Sequence, residues 1–127
     1  MHKSRLAGFS IDCHSPDLTA AAKFWGAALG LQLKPPSTEA KDALYRSFDT
    51  GPDDLQVEVQ QVEHASRVHL DIETDDIEAE VARLENLGAK RVRAVHTWWI
   101  MEAPTGQRFC VVRPQRADFA MHAKTWD

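Results

Sequence analysis

The chain has 127 residues, which is the size of one ordinary domain and too short for two full ones. It carries 15 Lys and Arg against 19 Asp and Glu, and no segment collects basic residues, which argues against a nucleic-acid-binding surface. The N-terminus lacks the apolar core of a secretory signal, and no segment approaches the ~20 apolar residues of a membrane-spanning helix. We therefore expect a single cytoplasmic domain over residues 1–127, without a nucleic-acid or membrane partner.

The first helix is predicted between Ser15 and Gly30, where apolar residues recur every three or four positions. Ser15 is placed to be the N-cap, and Pro16 to be the first helical residue. Gly30 suits the left-handed conformation that commonly ends a helix. Both ends of this helix are therefore signalled by local residues.

The second helix is predicted between Thr74 and Ala89 by the same apolar spacing. Asp75 followed by Glu78 has the form of a capping box, and Gly88 is expected to close the helix. The remaining periodic stretches are short and rich in β-branched or aromatic residues, so strands are predicted there. These are Leu6 to Cys13, Leu31 to Lys34, Leu44 to Phe48, Leu55 to Val62, Arg67 to Ile72, Arg91 to Val95, Trp98 to Glu102 and Arg108 to Val112, with a loop at 49–54.

The predicted elements repeat in the order strand, helix, three strands. Equivalent residues of the two halves are separated by 59 or 58 positions, and they are Asp12 and Asp71, Asp17 and Asp76, and Gly30 and Gly88. Because a fixed period indicates a duplicated structural unit, the sequence predicts two βαβββ modules.

Three stretches carry a resemblance to a known superfamily: "DLTAAAKFWGAALG", "RVHLDIETDDIEAEVARLENLGA" and "WWIMEAPTGQRFCVV". In order and spacing they resemble the vicinal oxygen chelate superfamily of glyoxalase I, bleomycin-resistance proteins and extradiol dioxygenases, and more narrowly its glyoxalase-like domains. The resemblance implies an α+β fold in which two tandem βαβββ modules form an open eight-stranded cup with the helices outside. Module 1 would span about 6–62 and module 2 about 66–113, followed by a C-terminal tail, 114–127.

The resemblance also implies a metal site, because metal-dependent members take ligands from the first and last strands of both modules. His69 matches the ligand histidine, and Glu58 offers the carboxylate, so the two are the predicted ligands of one divalent metal (Zn, Ni, Fe or Mn). His69 could instead be hydrogen-bonded to Asp71 or Glu58 in a polar wall, and Glu58 could simply face solvent. Ser10 and Cys110 stand where stronger ligands are expected, which leaves open that no metal binds. Cys110 could supply a thiolate as a third ligand, or it could be a small buried apolar residue.

Further candidate residues lie on the predicted strands. Asp71 and Glu58 are candidate catalytic bases, although Asp71 could instead bond backbone at a module junction. Trp98 and Trp99 must face opposite ways, so one is expected in the core and the other beside the ligand. The predicted substrate-binding residues are Ser10, Trp98, Trp99 and Cys110.

The stretch Arg67 to Thr74 has two faces, because successive side chains of a strand alternate. Val68, Leu70 and Ile72 are expected to pack on the helices. His69, Asp71 and Glu73 would then face the site.

Two functions remain open from the sequence. One is a metal-dependent lyase, isomerase or dioxygenase that acts on a small molecule with vicinal oxygens. The other is a metal-free binding protein of the bleomycin-resistance kind, which holds an organic ligand by stacking and hydrogen bonds. The resemblance also implies a homodimer. The tail could fold over the cup through Phe119 and Trp126, or fray.

Overall fold

The structure is a computed structural model that describes residues 1–52 and 54–127; Asp53, in the loop predicted at 49–54, lies outside them. The described chain is a mixed α+β fold, as predicted, and none of its helices is long and apolar enough to cross a membrane. Its elements are β1 His2–Cys13, α1 Leu18–Leu29, β2 Gln32–Leu33, a 3-10 turn at Ala40–Asp42, β3 Tyr45–Asp49, β4 Gln56–Gln61, β5 Arg67–Thr74, α2 Ile77–Asn86, β6 Lys90–Val95, β7 Trp98–Glu102, β8 Arg108–Val112, α3 Phe119–His122 and β9 Lys124–Trp126.

The predicted order of strand, helix and three strands, repeated twice, is confirmed from β1 to β8. Within residues 1–52 and 54–127 there are nine strands rather than the predicted eight, because the tail adds one. The tail forms α3 and then β9, which pairs antiparallel with the first residues of β1. It is therefore an ordered part of the fold.

The chain divides into two compact units, each described on its own. The N-terminal unit is Phe9–Val68, and the C-terminal unit combines Met1–Gly8 with His69–Asp127. The chain passes from one unit to the other within β1 and within β5.

In the N-terminal unit the strand order is β2, β3, β4 and then the second half of β1. Helix α1 packs on β2, β3 and β4, and the core between them contains Ile11, Ala22, Phe48, Val57 and Val59. A Cβ atom at Gly26 would lie 3.1 Å from the Leu31 carbonyl oxygen and 3.2 Å from the Phe48 ring. Glycine at this position therefore lets α1 approach the sheet closely.

In the C-terminal unit the strand order is β5, β8, β7, β6, with β5 and β8 parallel and the other pairs antiparallel. Helix α2 packs on β6, β7 and β8. The core under α2 contains Val81, Leu84, Met101 and Val111. The sheet therefore has one face under α2 and one face turned away from it.

The predicted N-terminal caps of both helices are wrong. The N-caps are Asp17 and Asp76 rather than Ser15 and Asp75. The Asp17 carboxylate accepts a hydrogen bond from the N–H of Ala20, and Asp76 does the same for Ala79, both at 3.0 Å. The Ser15 hydroxyl instead accepts from the N–H of Asp17 at 3.2 Å. The carboxylate reaches three residues ahead, which is the bond that an N-cap makes.

The helix ends agree better with the prediction. Gly30 is the C-cap of α1 with a left-handed φ of 69°, as predicted. Gly88 has a φ of 106° and directly follows Leu87, the C-cap of α2. Glycine is favoured at both positions because other residues are strained at positive φ.

The expectation that all three apolar residues of β5 pack on the helices is wrong for two of them. Val68 is 58% exposed and Leu70 is 50% exposed, whereas Ile72 packs against the core under α2. Because α2 lies over β6, β7 and β8, it leaves Leu70 on β5 uncovered.

Candidate metal centre

The candidate site lies on the face of the C-terminal sheet that is turned away from α2. Met101 and Val111 are buried under α2, so their strand neighbours Ile100 and Cys110 face the other way. Cys110 is directly opposite Asp71 in the parallel pairing of β8 with β5. His69 precedes Asp71 by two residues and therefore shares its face.

Three side chains form a cluster on this face: His69, Asp71 and Cys110. One potential ligand atom from each lies within 4.8 Å of the other two. The His69 Nε2 atom is 3.3 Å from the Asp71 Oδ1 atom, and these side chains are only 11% and 21% exposed. Cys110 is half-buried and is not in a disulfide. The cluster is thus partly shielded from water but still accessible to a small ligand.

The donor set of this cluster fits a divalent cation. An imidazole nitrogen, a carboxylate oxygen and a thiolate sulfur bind zinc at about 2.0–2.3 Å, so two ligand atoms of a tetrahedral site are roughly 3.3–3.8 Å apart. The 3.3 Å between His69 Nε2 and Asp71 Oδ1 already matches this spacing. The donor atoms of the cluster all lie within 4.8 Å of one another, so the thiolate would have to move by on the order of 1 Å at most. Three protein ligands with an open position are typical of catalytic zinc, and the sulfur favours zinc or another borderline metal over manganese.

The structure thus brings together three of the residues singled out in the sequence. His69 was predicted as a ligand, Cys110 as an optional thiolate ligand, and Asp71 as a base rather than a ligand. The spacing of His69 and Asp71 already put both on one strand face. The sequence carries no signal for the pairing of Asp71 with Cys110, 39 residues later, because that pairing depends on the register between β5 and β8.

Two other predicted site residues belong to the N-terminal unit. Glu58 is half-buried on β4, opposite Ser47 of β3. Ser10 is fully buried, and its hydroxyl donates to the Asp12 carboxylate at 3.3 Å. The roles predicted for Glu58 and Ser10 beside His69 stay predictions.

The two adjacent tryptophans of β7 lie on opposite faces. Trp99 packs against the core under α2, where the Arg91 guanidinium lies 5.0 Å from its ring centre. Trp98 is half-buried on the face of Ile100, and its ring centre is 5.4 Å from that of His96. Of this pair, Trp98 alone shares the face of the cluster.

Glu73, the third polar residue of this face of β5, is completely buried by the tail. Its carboxylate accepts hydrogen bonds from the backbone N–H groups of Gln115 and Arg116 at 2.6 and 3.0 Å, and from the side chains of Arg116 and Arg5 at 3.0 and 2.8 Å. Burial by itself would raise the pKa of Glu73, but these hydrogen bonds outweigh it and hold the pKa below its ordinary value. Glu73 therefore anchors the tail at one end of the face.

Comparisons with known proteins are consistent with this architecture. A family profile described as "Glyoxalase-like domain" matches residues 8–112. No curated protein sequence matches the chain significantly.

Similar solved structures include a hypothetical protein, BH1468, from Bacillus halodurans C-125, with 12% identity, TM-score 0.66, and coverage of 90% of this chain and 97% of that one. Methylmalonyl-CoA epimerase from Mycobacterium tuberculosis has 17% identity and TM-score 0.56, with 87% of each chain covered. A glyoxalase/bleomycin resistance protein/dioxygenase superfamily member from Vibrio splendidus 12B01 has 19% identity and TM-score 0.51, covering 85% of this chain and 98% of that one. These similarities show a shared fold.

Proposed function

The chain belongs to the glyoxalase-like domain family, and from this premise we propose that it is a divalent-metal-dependent enzyme of the lyase, isomerase or dioxygenase kind. Its substrate would be a small organic molecule with two adjacent oxygens. The observation that carries the proposal is the cluster of His69, Asp71 and Cys110, whose donor atoms lie within 4.8 Å of one another.

These three residues would hold the metal. When bound, a divalent cation would act as a Lewis acid toward the two adjacent substrate oxygens. Asp71 has two carboxylate oxygens, so it can ligate with one and accept a substrate proton with the other. The His69 Nε2 and Asp71 Oδ1 atoms are 3.3 Å apart, about the separation of two neighbouring ligands on one tetrahedral ion.

Other residues of the face would contribute to binding. Trp98 presents an aromatic surface that can stack on the substrate, and Ile100 lies directly beside Cys110. This arrangement suits a substrate with a polar, chelating end and an apolar or planar body.

The test is metal uptake by protein purified without a polyhistidine tag and stripped with a chelator. We expect about one equivalent of zinc or cobalt(II), measured by elemental analysis, and a thiolate-to-cobalt charge-transfer band in the cobalt form. His69→Ala should weaken metal binding by more than the ~10–100-fold that follows loss of an outer-shell partner. Cys110→Ser should abolish the band.

Matched controls come from the same chain. Cys13→Ser removes the other free cysteine, which lies in the N-terminal unit, and should leave the band intact. His122→Ala removes an exposed histidine of α3 and should leave uptake unchanged. If the wild-type protein binds no zinc, cobalt(II), nickel, iron(II) or manganese, the proposal is wrong. Quenching of tryptophan fluorescence by a planar ligand without metal would then support the binding-protein alternative.

We also propose that the chain functions as a homodimer. Two leucines of the C-terminal unit, Leu6 on β1 and Leu70 on β5, are 40% and 50% exposed. A second copy of the chain would remove this apolar surface from water.

A further inference from the structure

On the sheet face that carries the cluster, strands β6 to β8 carry a local excess of cations. In the described strands β6, β7 and β8, the residues turned away from α2 include three cations and one anion: Lys90, Arg93, Arg108 and Glu102. The chain as a whole has a net charge of -4. Strand β5 adds the carboxylates of Asp71 and Glu73 to the same face, so the excess of cations lies at its β6 end and would attract the anionic end of a ligand there.

Arg93 lies in the same cross-strand row as the cluster. Asp71 is opposite Cys110, Cys110 is opposite Ile100, and Ile100 is opposite Arg93. Because neighbouring strands are 4.7–4.9 Å apart, the Cα atom of Arg93 is about 10 Å from that of Cys110. An arginine side chain is long enough to span much of that distance.

The two arginines that β6 and β8 place on this face differ in their partners. The Arg108 Nε atom donates to the Glu102 carboxylate at 3.0 Å. Arg93 is exposed, and no ion pair joins it to any residue of 1–52 or 54–127. Its guanidinium therefore retains its capacity to bind a carboxylate through two parallel hydrogen bonds.

The surface between Arg93 and Cys110 is apolar. Ile100 separates the two, and on one side the next row contains Val95 and Trp98. A ligand that bridges Cys110 and Arg93 would thus place a short hydrocarbon segment over Ile100.

We propose that the substrate is a short 2-oxo or 2-hydroxy acid with a second, distal carboxylate, and that Arg93 binds this distal carboxylate. The inference rests on the proposed function, because it places the chelating end of the substrate at the cluster of His69, Asp71 and Cys110. Arg93 is then a specificity-determining residue rather than a metal ligand.

The test compares 2-oxoglutarate with 2-oxopentanoate. The two acids have chains of equal length, but 2-oxopentanoate has a methyl group in place of the distal carboxylate. Both are titrated into the cobalt(II) form by calorimetry and by the cobalt spectrum. We expect wild type to bind 2-oxoglutarate about 10- to 100-fold more tightly, as one charge-assisted contact allows. Arg93→Gln should abolish this preference without changing the affinity for cobalt or for 2-oxopentanoate.

Two further variants separate a specific contact from net charge. Arg93→Lys should keep part of the preference, since lysine supplies the charge without the fork of donors. Lys23→Gln removes one exposed cation from α1 and should leave the preference for 2-oxoglutarate unchanged. The inference about Arg93 is wrong if a wild-type protein that holds cobalt binds the two acids with equal affinity, or binds neither. The proposed metal site would stand in that case. Failure of the wild type to hold cobalt would remove both proposals.

Discussion

At the scale of single residues, Glu73 is the side chain on which the described tail depends most. It is fully buried on β5, and it accepts four hydrogen bonds from Arg5, Gln115 and Arg116. The second guanidinium nitrogen of Arg5 also donates to Asp118 at 2.6 Å. One buried carboxylate thus joins β1, β5 and the residues before α3. Removing its charge would deprive the largely buried Arg116 guanidinium of its ion-pair partner and leave Arg5 with Asp118 alone.

We predict that Glu73→Gln lowers the free energy of unfolding by about 3–5 kcal/mol at pH 7, as for other broken buried ion pairs. The ordinary pKa of this carboxyl is 4.5, and its native pKa is lower. The stability that the ionised Glu73 contributes is therefore complete above pH 4.5, the ordinary pKa, and is lost as the pH falls through the lower native pKa. The difference between wild type and variant should accordingly shrink below pH ~4.5.

Urea unfolding from pH 7 to pH 2.5 measures this effect. The control is Glu63→Gln, which makes the same chemical change at an exposed residue of the N-terminal unit. Glu73 does not carry the stabilisation assigned to it if Glu73→Gln lowers the free energy of unfolding by no more than Glu63→Gln does. The same holds if the difference between Glu73→Gln and wild type does not change with pH.

At the scale of elements, the duplication is most visible at the helix starts. Ser15 and Thr74, 59 residues apart, each accept a hydrogen bond from the N–H of the aspartate two positions later. Those aspartates, Asp17 and Asp76, are both N-caps. The two helices therefore begin by the same local mechanism.

We predict that Asp17→Ala and Asp76→Ala each cost about 0.5–2 kcal/mol of stability, whereas the Asn variants retain most of it. Ser15→Ala should cost less than Asp17→Ala, since the serine does not cap the helix. Thermal and urea unfolding of the six proteins, wild type included, measure the differences. A larger cost for Ser15→Ala than for Asp17→Ala would assign the cap to the serine after all.

The C-terminal strand is secured by a second buried carboxylate. Glu80 of α2 is fully buried and bonds both His2 and Arg83 at 2.8 Å. The Arg83 guanidinium lies 3.9 Å from the ring centre of Trp126, whose Nε1–H donates to the Ser4 hydroxyl at 2.8 Å. These contacts explain why the tail ends as a strand beside β1 instead of fraying.

At the scale of the whole molecule, the proposed homodimer is open to a direct test. We predict that wild type sediments as a dimer and that Leu70→Glu raises the dissociation constant at least about tenfold, because it buries a charge in an apolar contact. Leu87→Glu makes the same change at a leucine that is 66% exposed after α2 and should leave the dimer intact. Sedimentation velocity at micromolar concentrations distinguishes these cases. A monomeric wild type, or equal effects of the two variants, would contradict the proposed interface.

The amino-acid sequence by itself determined the order of elements, the two glycine-terminated helices and the family. The elements and the helix ends follow from local periodicity and from the 59-residue repeat, which a linear pattern can carry, and the family follows from the resemblance of three stretches to a known superfamily. The repeat already paired Asp17 with Asp76, and both are N-caps. The sequence prediction nevertheless placed the caps at Ser15 and Asp75.

The tertiary structure decided which residues meet. Asp71 faces Cys110 only because β5 and β8 pair in one register, and Leu70 is exposed only because α2 lies over other strands. Glu73 looked like a site residue by alternation, yet the tail covers it. Alternation along a strand assigns a side chain to a face, whereas strand register and the packing of distant segments decide what that face contacts.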